Sequence, residues 1–373
     1  MVTILVLILI ISLLVLVHEF GHFFAAKLSG VMVEEFGLGL PPRLFGKKLG
    51  ETVYSLNLLP FGGFVKLTGE DFDEAKAGDP RSFVGKKPIV RAAILTAGVF
   101  MNVVLAIALY YTLFSLTNYK SATLPMFFDH HFRYGNVEKL STVVTSIVEG
   151  SLAEKAGISR GEAILEISGT PVYNAGDVRN ALASFENREA SVLLMDIRGT
   201  DRAIRTLYVT PQKDSQGQIL LGVLLSDAFR LDYSNNKKFS GLMHTWNMFS
   251  YSTSTLGNLI SMSVRERDIS PVSESVSGPV GISRAVSGIL DFRGRDMWIG
   301  LLDLTALLSV SLAFLNILPF PALDGGRLAF VVVEAFAGRK VSHKIETSVH
   351  KWGMLFLLTL IILVTIKDVR NLL

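Results

Sequence analysis

The sequence predicts a polytopic α-helical membrane protein with about four transmembrane helices, an inserted extracytoplasmic α/β domain and a cytoplasmic β-hairpin that re-enters the membrane. Half of the 373 residues are hydrophobic and only 18% are charged, which is typical of membrane proteins. Long apolar segments alternate with polar ones, and one long polar segment has the pattern of a separately folded domain. The chain has no cysteine, so disulfides, thiolate zinc sites and cysteine nucleophiles are excluded. A net charge of +3 gives no reason to expect nucleic acid as a partner.

The first predicted span, residues 1–28, is largely apolar but contains Ser12 and the group formed by His18, Glu19 and His22. As a helix it would be about 40 Å long, which is enough to cross a bilayer. A cleavable signal peptide is the alternative. However, no basic segment precedes the apolar run and no small-residue cleavage site ends it within the usual length. We therefore expect a retained membrane helix.

Three further spans are predicted at residues 92–117, 299–326 and 352–367, and the basic residues between the spans indicate their orientation. The connections 29–91 and 327–351 are rich in lysine and arginine, so both should be cytoplasmic by the positive-inside rule. These basic residues are Arg43, Lys47, Lys48, Lys66, Lys76, Arg81, Lys86, Lys87 and Arg91 in the first connection, and Arg327, Arg339, Lys340, Lys344 and Lys351 in the second. This orientation places both termini and the long segment between the second and third spans outside the cytoplasm.

The segment outside the cytoplasm is predicted to contain one compact domain between two linkers. Residues 141–212 alternate β-rich runs, such as "EAILEISG" and "SVLLMDI", with the helical stretches "SLAEKAG" and "AGDVRNALASF", which predicts an α/β fold. Residues 118–140 and 213–298 are predicted to be linkers. In the second linker, residues 239–263 are amphipathic and are expected to lie along the membrane surface. Residues 276–288 are interpreted as a loop because their glycines and proline favour turns.

The predicted domain resembles the PDZ domains of bacterial proteases in the string "SLAEKAGISRGEAILEISGTPV". It departs from the family pattern at Gly161 and Glu162, where the family usually has Gly-Asp, although the carboxylate is kept. A PDZ fold implies that an extended peptide or a chain end binds by strand addition at an exposed sheet edge. A small spacer domain without a ligand is the alternative.

The arrangement H-E-x-x-H at residues 18–22 predicts a metal site. In a helix His18 and His22 lie on the same face, so both imidazoles can bind one ion. Glu19 then lies beside the metal, placed to take a proton from a metal-bound water. Zinc suits nitrogen and oxygen ligands and lowers the pKa of bound water to about 7, which generates a nucleophile that hydrolyses amides. The alternative is a polar face that contacts a neighbouring helix, but ionisable groups inside a span are functional by default.

A third ligand is expected near the end of the third span, because the first helix offers no further candidate. The segment "NILPFPALDGGRL" places Asp324 at the inner end of an apolar helix, where prolines and glycines break the regular structure. The orientation inferred from the loop charges places Asp324 near the cytoplasmic side of the membrane, at a depth similar to that of His18 and His22. The other histidines fit less well, because they are predicted outside the cytoplasm or in a basic, interfacial stretch. They are His130, His131, His244, His343 and His350.

The first cytoplasmic connection contains a further apolar element at residues 52–67, "TVYSLNLLPFGGFVKL". Two β-prone runs joined by Leu-Pro-Phe-Gly-Gly predict a hairpin. The hairpin is too short to span a bilayer and too apolar for a solvated loop, so we expect it to enter the membrane or to pack over the metal site. A core hairpin of a small cytoplasmic subdomain is the alternative.

Together these features resemble the site-2 protease family of intramembrane zinc metalloproteases, with its bacterial regulator of sigma-E protease branch nearest but with a single PDZ domain. The motifs are H-E-F-G-H in the first span, the PDZ-like domain, N-x-x-P-x-P-x-x-D-G at the end of the third span, and the strings "EEFGLGLPPRLF", "LLPFGGFVKL" and "SGPVGI". The resemblance implies that His18, His22 and Asp324 bind one Zn2+ and that Glu19 is the catalytic base. It further implies that Asn316 helps to hold the substrate backbone.

The resemblance also describes the surroundings of this site. It implies that Asn102 lines the same polar interior. It implies too that the hairpin with Gly62 and Gly63 pairs with the substrate strand, since a substrate helix must unwind before its peptide bonds can be attacked. The chain departs from the family pattern at two points. The best-known members carry two tandem PDZ domains where this chain has length for one, and residues 97–99 are Ala-Gly-Val where the family commonly has Gly-Pro before the asparagine.

The expected function is regulated intramembrane proteolysis of single-pass membrane proteins at the inner (cytoplasmic) membrane of a bacterium. For the family, an anti-sigma factor and a signal-peptide remnant are both reasonable substrates, and the PDZ-like domain would bind chain ends or exclude bulky substrates. The expected partners are these substrates and the lipid bilayer. One alternative is a catalytically inactive, membrane-anchored PDZ scaffold, against which the intact motif residues argue. Another is a membrane-anchored zinc protease of soluble peptides, against which the apolar surroundings argue.

Overall fold

The computed structural model describes residues 1–70, 79–197, 203–213, 219–339 and 341–370. Two of the basic residues used for orientation, Lys76 and Lys340, lie outside them. The helices, in chain order, are α1 Val2–Leu28, α2 Pro88–Leu116, α3 Leu152–Lys155, α4 Ala175–Ala183, α5 Ser240–Glu266, α6 Ser270–Ser275, α7 Pro279–Leu290, α8 Arg295–Ile317, α9 Asp324–Ala337 and α10 His343–Arg370. The strands are β1 Val33–Leu49, β2 Thr52–Leu67, β3 Leu124–Pro125, β4 Asn136–Ile147, β5 Glu162–Ile167, β6 Thr170–Pro171, β7 Ala190–Asp196, β8 Ile204–Val209 and β9 Val223–Asp232.

The chain divides into two compact units, one formed by Met1–Tyr111 and His244–Leu373 and the other by Thr112–Met243. Among the described residues, four helices are long and apolar enough to cross a membrane, namely α1, α2, α8 and α10 over Lys344–Arg370. The chain is therefore a polytopic membrane protein, in agreement with the predicted number of spans. Three of these helices, α2, α8 and α10, begin earlier than their predicted spans, because the polar segments that precede the spans are helical as well. The amphipathic stretch 239–263 falls largely within α5, and its place along the membrane surface stays a prediction.

The predicted third span, residues 299–326, is not one continuous helix. α8 ends at Ile317 and α9 begins at Asp324, because Pro319 and Pro321 lack the N–H groups that would continue the helix. The predicted break in regular structure is confirmed, but Asp324 begins a new helix instead of ending the old one. The predicted connection 327–351 is accordingly helical over most of its described length.

β1 and β2 form an antiparallel sheet whose pairing differs from the predicted hairpin. Residues 35–38 pair on one side with residues 53–56 and on the other with residues 63–66, while residues 43–49 pair with residues 52–57. The two apolar runs of β2 are therefore separated by a segment of β1 and do not pair with each other. The hairpin within 52–67 is wrong in this respect, because β-propensity identifies a strand but does not identify its partner.

This sheet packs along α1 as far as the middle of the helix. Ser12 Oγ donates a hydrogen bond to the carbonyl of Pro60 at 2.9 Å, and the ring of Phe23 lies 6.1 Å from the ring of Tyr54. Ser12 lies about 9 Å along the helix axis from His18. The turn between the two apolar runs of β2 thus lies beside the central part of a helix that is long enough to span a membrane.

Residues 276–288, interpreted above as a loop, instead form most of helix α7 and the approach to it. Pro279 lies in the first turn, where its missing N–H would have no partner in any case. The carboxylate of Asp368, near the end of α10, accepts hydrogen bonds from the N–H groups of Gly278 and Gly281 at 2.9 and 3.0 Å. These bonds satisfy N–H donors that a helix N-terminus leaves unpaired. The turn propensities of the sequence could not reveal this stabilisation.

The second unit contains a seven-stranded antiparallel sheet in the order β3-β9-β4-β5-β7-β8, with β6 paired to β5. The β-rich runs and the two helical stretches predicted for residues 141–212 are all present, as β4, β5, β7, β8, α3 and α4. The domain is larger than predicted, because β4 begins at residue 136 and β9, in the predicted linker 213–298, pairs with β4 along its length. No local pattern reveals such a distant partner.

Glu162, where the sequence departs from the Gly-Asp pattern, stabilises this unit. Its side chain is buried and accepts hydrogen bonds from Arg205 Nε at 2.7 Å and Nη2 at 2.9 Å. Its Oε2 atom also accepts a hydrogen bond from the N–H of Ser159 at 2.7 Å. A buried carboxylate requires such partners, so Glu162 fixes the turn that leads into β5.

Candidate metal centre

Three side chains from distant parts of the chain converge at the predicted site. His18 Nε2 lies 2.8 Å from Asp324 Oδ2, His22 Nε2 lies 3.2 Å from the same oxygen, and the two Nε2 atoms are 3.1 Å apart. One donor atom from each residue lies within 4.8 Å of the other two. Among the described residues this is the one group of three or more His, Cys, Asp or Glu side chains so arranged.

Glycines allow α2 to approach the two histidines of α1 closely. A Cβ atom on Gly21 would lie 2.3 Å from the carbonyl oxygen of Ala97, and one on Gly98 would lie 2.5 Å from His22 Nε2 and 2.8 Å from His18 Nε2. Real Cβ atoms do not make such contacts. The absent side chains therefore leave room for the donor nitrogens and for an ion between them. Gly98 was not singled out from the sequence, where only its departure from the Gly-Pro pattern was noted.

Two glycines likewise position Asp324, which is the first residue of α9. A Cβ atom on Gly325 would lie 2.1 Å from the carbonyl oxygen of Leu318, and one on Gly326 would lie 2.3 Å from that of Phe320. The loop before α9 therefore folds back closely over the first turn of this helix. This packing explains why two glycines follow the aspartate in the sequence.

The second nitrogen of each imidazole also has a partner. His22 Nδ1 lies 2.8 Å from the carbonyl oxygen of Ile94, so Nδ1 carries the proton and Nε2 is left with a lone pair. His18 Nδ1 lies 3.2 Å from Nδ2 of Asn102, whose Oδ1 atom is buried without a hydrogen-bond partner. Turning this carboxamide over lets Oδ1 accept a hydrogen bond from His18 Nδ1–H and satisfies the orphaned oxygen. Both Nε2 atoms then present lone pairs to the same point, as metal-binding histidines do.

The buried surroundings hold Asn102 in place. Asn102 is fully buried, and its backbone carbonyl oxygen accepts a hydrogen bond from Ser309 Oγ of α8 at 2.8 Å. Asn316, later on the same helix, has its Nδ2 atom 3.5 Å from His18 Nε2. Both asparagines predicted to lie beside the metal site are therefore found there.

The donor set fits zinc. Two neutral imidazole nitrogens and one carboxylate oxygen are the ligands of a catalytic zinc site, in which a fourth position stays open. With Asn102 Oδ1 accepting a hydrogen bond from His18 Nδ1–H, His18 presents Nε2 to the same point as His22 Nε2. The three residues can therefore hold a divalent ion of this kind.

Glu19 lies in a cavity of about 220 Å³ next to the three donors, and His22 and Asp324 also line it. Gly63 lies beside it, since a Cβ atom on Gly63 would be 3.7 Å from Glu19 Cγ. Gly62 is less close, because its nearest neighbours are side-chain atoms of Leu40. Thus Gly63 lies beside Glu19, whereas Gly62 shapes the preceding turn with a positive φ of 82°.

An ion pair that the sequence does not predict also lies in this cavity. Arg327, on the first turn of α9, pairs with the carboxylate of Glu70 just after β2, and both line the cavity with Glu19. The sequence gives only a weak signal for this contact. Glu70 follows an apolar β run and Arg327 follows Asp324, and neither position indicates that the two side chains meet.

The other histidines lie elsewhere where their side chains are described. His130 packs on Phe132, with ring centroids 4.8 Å apart, and His244 packs on Tyr110 at 4.4 Å. Burial lowers the pKa of His244 to about 3, so this imidazole is neutral. His350 contacts the loop that precedes Asp324.

A model of the family described as peptidase family M50 matches residues 6–360. The chain is 34% identical over 358 residues to a Clostridium perfringens protein provisionally named a zinc metalloprotease, with 96% of each chain covered. It is 30% identical over 379 residues to a Fusobacterium nucleatum protein with the same provisional description, with 99% of each covered. It is 31% identical over 372 residues to an Arabidopsis thaliana protein provisionally named a chloroplastic membrane metalloprotease, with 97% of this chain and 79% of that one covered. These similarities extend over nearly the whole chain.

Proposed function

The chain belongs to peptidase family M50 and is a zinc metalloprotease, and on this premise we propose that it cleaves other membrane proteins within or near their transmembrane segments. The observation that carries the proposal is the position of the metal-binding cluster. His18 and His22 lie within a helix apolar enough to cross a membrane, and Asp324 follows closely after another such helix. A soluble peptide has no reason to be cut at that depth, whereas a transmembrane segment must be reached there.

In this proposal His18 and His22 bind zinc through Nε2, and Asp324 binds it through its carboxylate. Zinc, when bound, supplies a Lewis acid that polarises the scissile carbonyl and makes water more acidic. Asn102 and the carbonyl of Ile94 hold the two imidazoles in the tautomers that expose Nε2. The protein thus fixes the ligand geometry through the second nitrogen of each ring.

Glu19 is the proposed general base. It follows His18 directly, so in the helix its side chain lies next to the ligand face, and it lines the cavity beside Asp324. Its carboxylate accepts a proton from the attacking water and then passes that proton to the leaving nitrogen.

The sheet beside this cavity is proposed to bind the substrate in an extended form. Residues 63–67 line the cavity through Phe64, Val65 and Leu67, and within the described part of the chain they pair with β1 on one side. A substrate strand added along the other side replaces the hydrogen bonds that a helix loses on unwinding. Asn316, whose Nδ2 atom is close to His18, is placed to donate a hydrogen bond to the substrate backbone.

The remaining assignments belong to the same proposal. The metal centre faces the cytoplasmic side of a bacterial inner membrane, with the termini and the α/β unit outside, as the basic connections indicate. The substrates are single-pass membrane proteins, of which anti-sigma factors and signal-peptide remnants are two kinds. The α/β unit acts as a single PDZ domain that binds chain ends or excludes bulky substrates, as in a relative of the regulator of sigma-E protease branch.

The test is cleavage of a single-span model substrate by the purified full chain in lipid vesicles. Glu19→Gln should keep zinc and lower the cleavage rate by at least about 100-fold, which is the scale of general-base catalysis. Glu51→Gln is the matched control, because this carboxylate is exposed and pairs with Lys27. Undiminished cleavage by Glu19→Gln would refute the base assignment. No cleavage by the native chain with zinc bound would favour the inactive scaffold.

A further inference from the structure

The loop that carries Asp324 into the site, residues 318–323, is in contact with α10. His350 Nδ1 accepts a hydrogen bond from the N–H of Ala322 at 2.9 Å. A Cβ atom on Gly353 would lie 2.3 Å from Pro321 Cβ, and the ring of Phe356 lies 5.7 Å from that of Phe320. The three α10 residues are spaced by three, so they form one stripe along the helix. Successive turns of α10 thus contact successive residues of the loop.

One residue of this loop has a backbone conformation that its side chain disfavours. Ala322 has a φ of 76°, in the left-handed region that is unfavourable for a residue with a Cβ atom. Such a conformation persists only where the surroundings impose it. The hydrogen bond from Ala322 N–H to His350 is one such constraint, and it acts on the residue two positions before Asp324.

The imidazole of His350 also contacts α9. It packs against Phe330 of α9, with ring centroids 5.7 Å apart. Because Nδ1 accepts the bond from Ala322, the ring proton is on Nε2. His350 therefore contacts both the loop before Asp324 and the helix that Asp324 begins.

We propose that His350 is a positioning residue, which holds Ala322 in its left-handed conformation and thereby keeps the Asp324 carboxylate at the metal site. The proposal rests on the ligand assignment of the proposed function. It gives α10 a role in metal binding although none of the described α10 side chains belongs to the metal-binding group. The chemistry required at position 350 is a hydrogen-bond acceptor branching from Cγ.

The experiment measures how well zinc is retained by the purified full chain in detergent against a fixed concentration of a competing chelator. His350→Leu removes the acceptor and should weaken zinc retention about tenfold, the lower end of what loss of an orienting partner costs. His350→Asn keeps an acceptor oxygen near the position of Nδ1 and should stay within about twofold of the native chain. His131→Leu, a change at an exposed histidine, is the matched control.

A second substitution separates this role from simple packing of the imidazole. Glycine adopts positive φ without the penalty of a Cβ atom. Ala322→Gly in the His350→Leu background should therefore recover most of the lost zinc retention. A merely structural role for the ring would not be rescued by a change in the loop backbone.

The outcomes distinguish this proposal from the one it rests on. If the native chain holds no zinc, or if His22→Ala holds zinc normally, the ligand assignment fails. If the native chain holds zinc and His350→Leu holds it equally well, only the positioning role is overturned. Equal losses in His350→Leu and His350→Asn, or no recovery with Ala322→Gly, would also overturn the positioning role. Cobalt absorption spectra of the same variants provide an independent readout of ligand geometry.

Discussion

The Nε2 atom of His18 lies 2.8 Å from Oδ2 of Asp324, although the two residues are 306 positions apart in the chain. This contact joins the middle of α1 to the first residue of α9, and His22 approaches the same oxygen. Since all three side chains are at least partly buried in apolar helices, removing one leaves the other two with poorly satisfied polar atoms. The three residues therefore act as a unit.

Substitution of either an imidazole or the carboxylate should abolish metal binding. We expect His22→Ala and Asp324→Ala to lower bound zinc from about one equivalent to nearly none, because a catalytic site has only three protein ligands. Metal analysis of the purified protein is the measurement, with the exposed His131→Ala as control. Full zinc occupancy in both site variants would show that the ligands lie elsewhere.

Asn102 should support the metal through His18. Asn102→Leu removes the partner of Nδ1, and we expect zinc affinity to fall by about 10- to 100-fold. Asn102→Asp should retain most of the affinity, since a carboxylate also accepts the Nδ1 proton. Chelator competition measures both. An Asn102→Leu protein with native affinity would mean that the imidazole is oriented by other contacts.

Gly98 should be required for the close approach of α2. In Gly98→Ala the new methyl group would meet both Nε2 atoms at less than 3 Å, so the imidazoles must separate and zinc binding should drop at least tenfold. Gly257→Ala is the matched control, because no other group lies within 4 Å of that Cβ position. Identical zinc contents in the two variants would argue against this packing.

The turn of β2 should lie within the membrane. The chain has no cysteine, so single cysteines can be labelled without background. In inverted vesicles Glu51→Cys should react with a membrane-impermeant maleimide, whereas Leu59→Cys should react only after detergent is added. We expect this because the carbonyl of Pro60 accepts a hydrogen bond from Ser12, which lies near the middle of the membrane-spanning helix α1. Equal labelling of both positions before detergent would place the sheet in water.

The metal site was predictable because its residues carry a local signal. His18, Glu19 and His22 have helical spacing within an apolar segment, and Asp324 follows a helix broken by prolines, so their types and positions suffice. Asn102 and Asn316 followed only from family resemblance, since a lone asparagine in a span has several uses. Gly98, Arg327 and Glu70 were missed because their roles depend on contacts between distant segments.

The same distinction explains the fold. The length of the apolar segments identified the four candidate spans. Residue type identified strand β2 and the strands predicted for the α/β unit. Strand partners were not predictable: residues 35–38 lie between the two runs of β2, and β9 joins the sheet from a predicted linker. Helix α7 was not predicted because its first residues favour turns. The Asp368 carboxylate, near the end of the chain, stabilises its N-terminus by accepting a hydrogen bond from the N–H of Gly278.

The position of the cut in a substrate tests the central claim most directly. The purified full chain in lipid vesicles would be given a single-span substrate with soluble flanks, and the fragments would be identified by mass spectrometry. We predict a cut within or at the edge of the apolar segment, on its cytoplasmic side, that is absent with Glu19→Gln. Cleavage confined to the soluble flanks, or the same fragments from Glu19→Gln, would contradict proteolysis inside the membrane by this site.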